Sequence, residues 1–589
     1  SEMCIRDSAN TSYRMRMDVG DAVQDYLSVE ALGDVFDFYI WSGTPREAMT
    51  AYGTLTGLPI FPPEWVFEPW AGGGGGRWRN GPLQDIALEQ MAAMKKFHEL
   101  DIPHSGFYAE GAGATFYGEY KKEELYKVVS FGERHGFKVF SWQFPNMTQE
   151  LAQELLPECP KEELPITRNK NDEEEKLPVY IDFSHPRAKE LLAAQWKDRM
   201  DAGIRGSMVD FGDVVPDEAV FYDGRRGDEM HNAYAYQYAK NYRELFEQKY
   251  GDDHVLYTRG AAPGSQHFAC QFGGDQLTSF QGLKYAIAGG LSAAASGLPF
   301  WGVDAGGYDG FPDQETYLRW TEYAAFCPLM RFHGTEPREP WEYDAFTVKV
   351  YRYYTWLREN LRPYIVSVAA EAHKLGIPMM RPLAMMYPED QEATKVWDEY
   401  LFGEDLLVAP VSDETEEREI YFPEGRWISL WNLNDEISGP VQRSVEVPID
   451  KIPVYIREGS FLPFRLNESL KLGESMSESE TEMILAVVPQ NDSIVKETLY
   501  ERSGAKTCCG MEKNGETIQL QISGRTAELY VMLAGIHWKN TEAIVNGRTL
   551  TKVTAREGLY FTEGYLELEE GILVKINPSA ESVIKIQKK

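Results

Sequence analysis

Between residues 67 and 375, short apolar runs alternate with stretches of helical periodicity. This alternation is typical of repeated βα units, in which each strand is followed by a helix that packs on it. The candidate strands are residues 67–70, 105–110, 138–142, 207–211, 255–259, 272–275, 299–304 and 329–333. Such a set predicts an α/β fold in which residues 61–378 form a (β/α)8 TIM barrel.

The helical stretches have the period of helices that pack on a sheet. After the fourth candidate strand, apolar side chains recur at spacings of three and four, at Tyr234, Tyr238, Tyr242, Leu245, Phe246 and Tyr250. This spacing gives the helix a single apolar stripe. We interpret the tyrosines as core packing and not as a platform for a sugar ring.

After residue 378 the pattern changes to strands separated by Gly, Pro and Asn turns. These strands are residues 418–422, 427–431, 454–457, 484–488, 517–522, 528–533 and 572–576. They predict two β-sandwich domains after the barrel, a proximal one at residues 379–466 and a distal one at residues 467–589. Residues 1–60 are expected to be the remnant of an N-terminal β-sandwich. Residues 1–8 resemble translated sequencing adapter, so we expect the natural start of the chain, with any signal peptide, to be missing.

Composition excludes two classes of partner. The 589 residues include 92 Asp and Glu against 59 Lys and Arg, and a net charge of -33 makes a nucleic-acid partner unexpected. Residues 285–303 are uncharged and long enough to cross a membrane, but their glycines and proline favour a small-residue helix, a turn and a buried strand. We therefore expect no membrane span. The sequence leaves open whether the protein forms a homo-oligomer.

The cysteines point to the compartment of the protein. The six cysteines have neither metal-ligand spacing nor a dense disulfide pattern. They favour a reducing compartment, and we expect the cytoplasm. No metal and no organic cofactor is expected.

Most candidate strands end in a side chain that can bind or transform a sugar. Asp210 and Asp275 each end an apolar run and lie 65 positions apart. In a parallel barrel such ends meet at the C-terminal mouth, and two carboxylates across a pocket are what glycosidic-bond hydrolysis needs. The candidate substrate-binding residues are Trp70, Glu110, Trp142, Phe211, Arg259, Trp301, Asp304 and His333.

Four short blocks surround these residues. They are V-D-F-G-D at residues 209–213, G-G-D at 273–275, D-A-G-G-Y at 304–308 and R-F-H-G at 331–334. Together they resemble glycoside hydrolase family 31, the retaining α-glycosidases that include α-glucosidases, α-xylosidases and sulfoquinovosidases. The first block looks like the T-D-F-G-E block of the α-xylosidase branch, and the third is similar to the family's D-I-G-G-[FY].

The resemblance implies a reaction and two catalytic residues. By it, Asp210 is the nucleophile, Asp275 is the general acid/base, and Arg259 is the arginine beside the nucleophile. A two-step double displacement would remove a terminal α-linked sugar from an oligosaccharide or glycoside with retention of configuration. The two carboxyl groups of such an enzyme are expected about 5 to 5.5 Å apart.

The resemblance also implies how the sugar is held. Trp142 and Phe211 would wall the pocket with flat apolar surface. Asp304 and His333 would hydrogen-bond the sugar hydroxyls, and polar contacts of this kind discriminate between hydroxyl patterns.

Departures from the family pattern bear on which sugar is bound. Met208 stands where α-xylosidases often have a lysine, and Asp213 replaces the glutamate of the first block. Gln276 after the acid/base looks like sulfoquinovosidases, yet residues 111–120 lack the Trp- and Arg-bearing loop that grips a sulfonate. Glu110 stands where the family has an aspartate that binds far hydroxyls. The expected substrate is an α-xyloside or α-glucoside; the alternatives are a sulfoquinovosidase, an α-transglycosylase and a catalytically dead carbohydrate-binding homologue.

Overall fold

The computed structural model describes residues 4–9, 11–23, 26–33, 37–73, 83–109, 111–112, 120–168, 179–476, 482–491, 493–525, 527–560 and 562–589. The chain begins with the strands β1 (Cys4–Ala9), β2 (Met15–Val19), β3 (Leu27–Ala31) and β4 (Phe38–Gly43). β1 pairs with β4 and β2 pairs with β3, both antiparallel. The helix α1 (Pro45–Thr56) follows, in the stretch where the sequence predicted only strands. It begins at a capping box in which Thr44 and Glu47 satisfy each other's backbone amides.

The strands of the next region are β5 (Trp70–Gly73), β6 (Gly106–Ala109), β7 (Lys138–Gln143), β8 (Asn146–Met147), β9 (Val179–Tyr180), β10 (Gly206–Val209), β11 (Val255–Thr258), β12 (Cys270–Phe272), β13 (Trp301–Gly302) and β14 (Arg331–Phe332). All except the antiparallel pair β8 and β9 lie in one parallel sheet, which within the described residues has eight strands. A parallel bridge joins Gly302 of β13 to Leu329, two residues before β14, and the Ala305 N–H donates to the Arg331 carbonyl, so the two edges of the sheet meet. The predicted TIM barrel is confirmed.

The helices of the barrel and its flank are α2 (Leu83–Glu99), α3 (Lys122–Arg134), α4 (Gln149–Leu155), α5 (Ala188–Ala202), α6 (Gly227–Tyr250), α7 (Phe280–Ala295), α8 (Gln314–Ala325), α9 (Ala345–Leu375) and α10 (Leu383–Met386). Short 3-10 turns lie at Glu64–Phe67, Lys161–Glu163, Ser265–His267, Pro340–Glu342, Ala393–Lys395 and Arg556–Leu559. On α6 the tyrosine stripe is buried in the core, as its spacing predicted. Of the helices that the structure describes, none combines the length and the apolar content that a membrane crossing requires.

One predicted strand is displaced along the chain. The sequence placed a strand at residues 67–70, but Glu64–Phe67 forms a 3-10 turn after Pro63 and the strand runs from Trp70 to Gly73. Trp70 therefore begins its strand. Its ring lies deep in the barrel, with centroids 4.9 Å from Phe140 and 5.5 Å from Tyr257.

The remaining strands are β15 (Met380–Pro382), β16 (Tyr400–Phe402), β17 (Leu406–Val408), β18 (Glu417–Ser429), β19 (Glu436–Glu446), β20 (Val454–Arg457), β21 (Phe461–Leu466), β22 (Glu482–Val487), β23 (Ile494–Tyr500), β24 (Lys506–Asn514), β25 (Thr517–Ser523), β26 (Leu529–Ala534), β27 (Thr541–Val545), β28 (Arg548–Thr549), β29 (Gly564–Glu567), β30 (Gly571–Ile576) and β31 (Glu581–Lys588). β15 to β20 form one antiparallel sheet after the barrel. The later strands form two sheets that share an apolar core. β21, which the sequence assigned to the proximal domain, pairs with β22 and contributes Phe461 to that later core.

Candidate active site

Asp210 follows the last residue of β10 at the C-terminal mouth of the barrel, and its side chain is held on both carboxylate oxygens. The indole Nε1–H of Trp142 donates to Oδ2 over 2.9 Å, and the backbone N–H of Phe211 donates to Oδ1 over 2.8 Å. The Arg259 Nε lies 3.5 Å from the same Oδ1. These donors fix the direction of the carboxylate, and hydrogen bonds to an ionised acceptor are the stronger kind.

The backbone behind Asp210 turns sharply. Phe211 has φ 56° and Gly212 has φ 80°, so two successive residues lie in the left-handed region. A Cβ on Gly212 would lie 2.6 Å from Cδ1 of Tyr238, whose hydroxyl donates to the Gln143 carbonyl over 3.1 Å. This turn leaves the Phe211 ring exposed at the mouth, with the Arg259 Cζ 4.2 Å from its centroid.

Asp275 lies three residues beyond the end of β12, on the same mouth. Its side chain is in contact with solvent. Partial desolvation by the surrounding protein nevertheless raises the pKa of the carboxyl group, and the negative charge of Asp210 raises it further. The cations Arg259 and Arg331 act in the opposite direction. The raised pKa favours the protonated form of Asp275.

A buried ion pair lies beside these carboxylates. Asp304 and Arg331 are in direct contact and only 1% and 2% exposed. The Arg331 guanidinium lies 4.8 Å from the ring centroids of both Tyr257 and Phe272. Burial raises the pKa of Asp304 to about 7, against the lowering effect of Arg331. Within the described part of the chain, neither Asp304 oxygen accepts a hydrogen bond, so the carboxylate can accept one from a ligand hydroxyl.

His333 follows β14 and is buried between aromatic rings. Its ring centroid is 4.4 Å from that of Tyr108 and 5.5 Å from that of Tyr308. Burial, helped by the cations Arg331 and Arg338, lowers the pKa of His333 well below its ordinary value. The imidazole is therefore neutral, with one nitrogen that donates and one that accepts.

Of the remaining sequence candidates, Trp70 does not join this group. Trp70 lies in the barrel core below the mouth, because it begins its strand instead of ending it. Trp301 packs its ring against α7, where a Cβ on Gly290 would lie 2.6 Å from it, and it also lines a cavity of about 460 Å³ together with Arg259 and Asp275. Glu110 lies outside the described residues.

The structure adds residues that sequence reasoning did not select. Arg331 pairs with Asp304, and the Gln276 side-chain oxygen lies 3.4 Å from the Asp304 backbone N–H, which donates to it. Arg338 donates to the carbonyls of Gly307, Tyr308 and Gly310 over 2.7, 3.2 and 2.8 Å, which holds the loop after Asp304. Arg331 opens the R-F-H-G block and Gln276 follows the acid/base, so both had a signal in the sequence. Arg338 had none.

The arrangement can perform acid/base and nucleophilic chemistry on a polar ligand. Among the residues that the structure describes, no group of three or more His, Cys, Asp or Glu side chains is placed to hold a metal ion.

Two family models match the chain. The Glycosyl hydrolases family 31 TIM-barrel domain matches residues 60–368, and the Glycosyl hydrolase family 31 C-terminal domain matches residues 376–462.

Individual proteins match at low identity. The isomaltosyltransferase of Sporosarcina globispora is 27% identical over 639 residues, which cover 97% of this chain and 58% of that protein. An alpha-xylosidase of Emericella nidulans is 27% identical over 500 residues, which cover 81% of this chain and 62% of that protein. The crystal structure of a cycloalternan-forming enzyme from Listeria monocytogenes, in complex with a pentasaccharide substrate, superposes with a TM-score of 0.88 at 22% identity, covering 99% of this chain and 60% of that one. The chain thus spans about three fifths of the length of these proteins.

Proposed function

The chain belongs to glycosyl hydrolase family 31, and from this membership we propose that it is a retaining exo-α-glycosidase that removes a terminal α-linked glucose or xylose from oligosaccharides or glycosides. Asp210 is the nucleophile and Asp275 is the general acid/base. The observation that supports this assignment is the contrast between the two carboxyl groups. Asp210 receives hydrogen bonds on both oxygens, whereas the pKa of Asp275 is raised.

The proposed first step uses both groups at once. Asp275 donates its proton to the glycosidic oxygen while Asp210 attacks the anomeric carbon, so the leaving sugar departs protonated and a covalent glycosyl-enzyme forms. Trp142 and Arg259 keep the Asp210 carboxylate turned toward the mouth for this attack. The second step reverses the roles: Asp275 accepts a proton from water, which attacks the anomeric carbon and frees Asp210.

The charge of Asp210 links the two steps. In the free protein that charge is one of the causes that raise the pKa of Asp275. Forming the covalent ester neutralises Asp210, so this cause disappears and the pKa of Asp275 falls just when the group has to act as a base. The same pair therefore serves as an acid first and as a base afterwards.

The sugar is proposed to lie between an apolar wall and a polar one. Trp142, Phe144 and Phe211 form an aromatic cluster beside Asp210, with ring centroids 3.9 Å apart for the first two and 5.3 Å for the last two. Asp304 and His333 provide acceptors and a donor for hydroxyl groups. A hydroxyl missing from the substrate would leave a buried group unpaired, at a cost of about 1 to 3 kcal/mol.

Two substitutions test the assignment. Asp210→Asn and Asp275→Asn should both nearly abolish hydrolysis of an unactivated α-glycoside. Formation of the covalent intermediate by the Asp275 variant should survive on a glycosyl fluoride or dinitrophenyl glycoside, because a good leaving group needs little protonation. Asp217→Asn, which removes an exposed carboxylate on the same loop as Asp210, is the matched control and should keep full activity. Equal loss by the Asp275 variant on good and poor leaving groups would reject its role as the acid.

The sugar and the stereochemistry need separate measurements. A panel of p-nitrophenyl α-glucosides, α-xylosides and α-galactosides, with a sulfoquinovoside, ranks the candidate sugars by kcat/KM. Proton NMR of the first-formed anomer tests retention. No turnover on any member would favour the catalytically dead homologue.

A transglycosylase is the second candidate. Two matches that cover 97% and 99% of this chain are an isomaltosyltransferase and a cycloalternan-forming enzyme, and the name of the first indicates transfer of a glycosyl group, although a dextranase also covers 99% of the chain. In a transferase a sugar hydroxyl replaces water in the second step, with the same two aspartates. Product analysis at rising acceptor concentration distinguishes the two, since a hydrolase releases mainly free sugar and a transferase mainly longer oligosaccharides.

A further inference from the structure

A cavity of about 350 Å³ lies away from the barrel mouth, where three parts of the protein meet. Tyr353 reaches it from α9, Leu430 and Ile456 from the sheet after the barrel, and Phe464 and Met532 from the two-sheet domain at the end of the chain. Cavities of this size are typical of small-molecule sites. Its walls and its rim differ in chemistry, and together they define the ligand that fits.

The walls are apolar. Besides the side chains already named, they include Leu433, Leu466, Leu470, Leu472, Ile484 and Leu573. One side is aromatic, with the rings of Tyr353 and Trp431 6.4 Å apart. The Trp431 Nε1–H donates to the Ile452 carbonyl over 2.6 Å, so the polar edge of this ring is already satisfied and its face is left for apolar contact. Several wall residues, Leu433 and Leu470 among them, are only half-buried, which leaves apolar surface open to a ligand.

The rim is cationic. Lys451, Lys471 and Arg556 line the cavity together with a single carboxylate, Glu570. Arg556 uses its Nη1 to donate to the Glu468 and Ser469 carbonyls. Within the described residues, the ammonium groups of Lys451 and Lys471 have neither an ion pair nor a hydrogen bond. With three cations and one carboxylate the rim is locally positive, although the whole chain has a net charge of -33.

We propose that this cavity, defined by Tyr353, Trp431, Met532, Lys451 and Lys471, binds an anionic amphiphile, whose aliphatic chain fills the apolar walls and whose carboxylate lies at the lysine rim. Each methylene of the chain gains from leaving water, and the lysines select for negative charge at one end of the ligand. The site is independent of the glycosidase chemistry at the barrel mouth.

Calorimetric titration with octanoate and with its neutral amide, octanamide, tests the proposal. Octanoate should bind one site per chain with a dissociation constant of about 1 mM or lower, and octanamide should bind about tenfold more weakly. Binding of octanoate should weaken as salt is raised, because the rim is exposed and its charges are screened. Equal affinity for the amide, or the absence of saturable binding at about ten times that constant, would overturn the proposal.

Charge reversal locates the site without disturbing the apolar walls. Lys451→Glu and Lys471→Glu change exposed side chains, so the fold should survive, and the double variant should lose at least about tenfold in octanoate affinity. Lys539→Glu changes an exposed lysine that does not line the cavity, and it should bind octanoate as the unaltered protein does. Octanoate should not compete with a p-nitrophenyl α-glycoside. Competition, or equal affinity in the double variant and the Lys539 control, would show that octanoate binds elsewhere.

Discussion

Replacing Gly212 with alanine tests whether the turn behind Asp210 sets the position of that carboxylate. Gly212 has φ 80°, and an L-residue held in the left-handed region costs about 1 to 2 kcal/mol. The new Cβ would also lie 2.6 Å from Cδ1 of Tyr238, which is fully buried and whose hydroxyl is tied to the Gln143 carbonyl. Forcing this ring aside costs about 1 to 3 kcal/mol, as overpacking in cores does. The expected destabilisation is the sum, about 2 to 5 kcal/mol.

Gly224→Ala is the matched control. Gly224 has φ 86° and its Cβ would meet nothing within 4 Å, so this variant carries the backbone cost without the clash. Calorimetric melting of both variants therefore separates the two contributions, and Gly212→Ala should lower the melting temperature about twice as much or more. Activity should separate them further, because a shift of about 1 Å at the nucleophile can cost about 100-fold in kcat/KM. The Gly224 variant should stay close to the unaltered protein.

Equal melting temperatures for the two variants would refute the reasoning, since Tyr238 would then move without cost. Unchanged kcat/KM for Gly212→Ala would refute the separate claim that the turn positions Asp210. Combining Gly212→Ala with Tyr238→Leu provides an independent check. If the clash is real, the double variant should be more stable than the sum of the two single effects predicts.

Three further predictions concern charges at the mouth. At about pH 9, where Asp304 is ionised in the unaltered protein, Arg331→Met removes its cation and should destabilise the barrel by about 3 kcal/mol or more in calorimetry. Adding Asp304→Asn should recover part of the loss, and no recovery would show that the pair is not coupled. Burial raises the folded-state pKa of Asp304 to about 7, against about 3.9 in an unfolded chain, so the folded protein keeps a proton that the unfolded chain has lost. The stability of the protein relative to Asp304→Asn should therefore fall as pH rises from about 4 to about 7 and level off above, and a flat difference would contradict this sign. Asp309→Asn removes a charge that helps to raise the pKa of Asp275, so the basic limb of kcat/KM should move to lower pH; movement to higher pH would contradict the role of Asp275 as the acid.

The barrel was predictable because its strands have a local signature. The predicted runs at residues 138–142 and 255–259 differ from β7 (Lys138–Gln143) and β11 (Val255–Thr258) by one residue at one end. Both are apolar runs bounded by turn residues, so local sequence was sufficient. The prediction at residues 67–70 was wrong because two prolines precede a turn of 3-10 helix, and an apolar run by itself does not distinguish such a turn from a strand.

The site was less predictable than the barrel. The blocks at residues 209–213 and 273–275 indicated which strand ends carry the two aspartates, and the structure places both after parallel strands. The packing of Trp301 against α7 could not be predicted, because a strand of two residues is too short for an alternating pattern that shows which side a residue faces. Arg338 acts through carbonyl groups some 28 to 31 positions away in the chain, and no spacing in the sequence marks such contacts.

Arginines, and not long strands, fix the geometry of this mouth. β12 has three residues, while β13 and β14 have two each, so the loops that follow them cannot inherit a precise position from strand pairing alone. Arg259 contacts Asp210 and Phe211, Arg331 contacts Asp304, and Arg338 ties the loop after Asp304. The arginines also affect protonation in this strongly acidic chain. Because cations lie beside some carboxyl groups and not beside others, neighbouring carboxyl groups can differ in protonation. That difference is what a nucleophile and an acid need when they share one pocket.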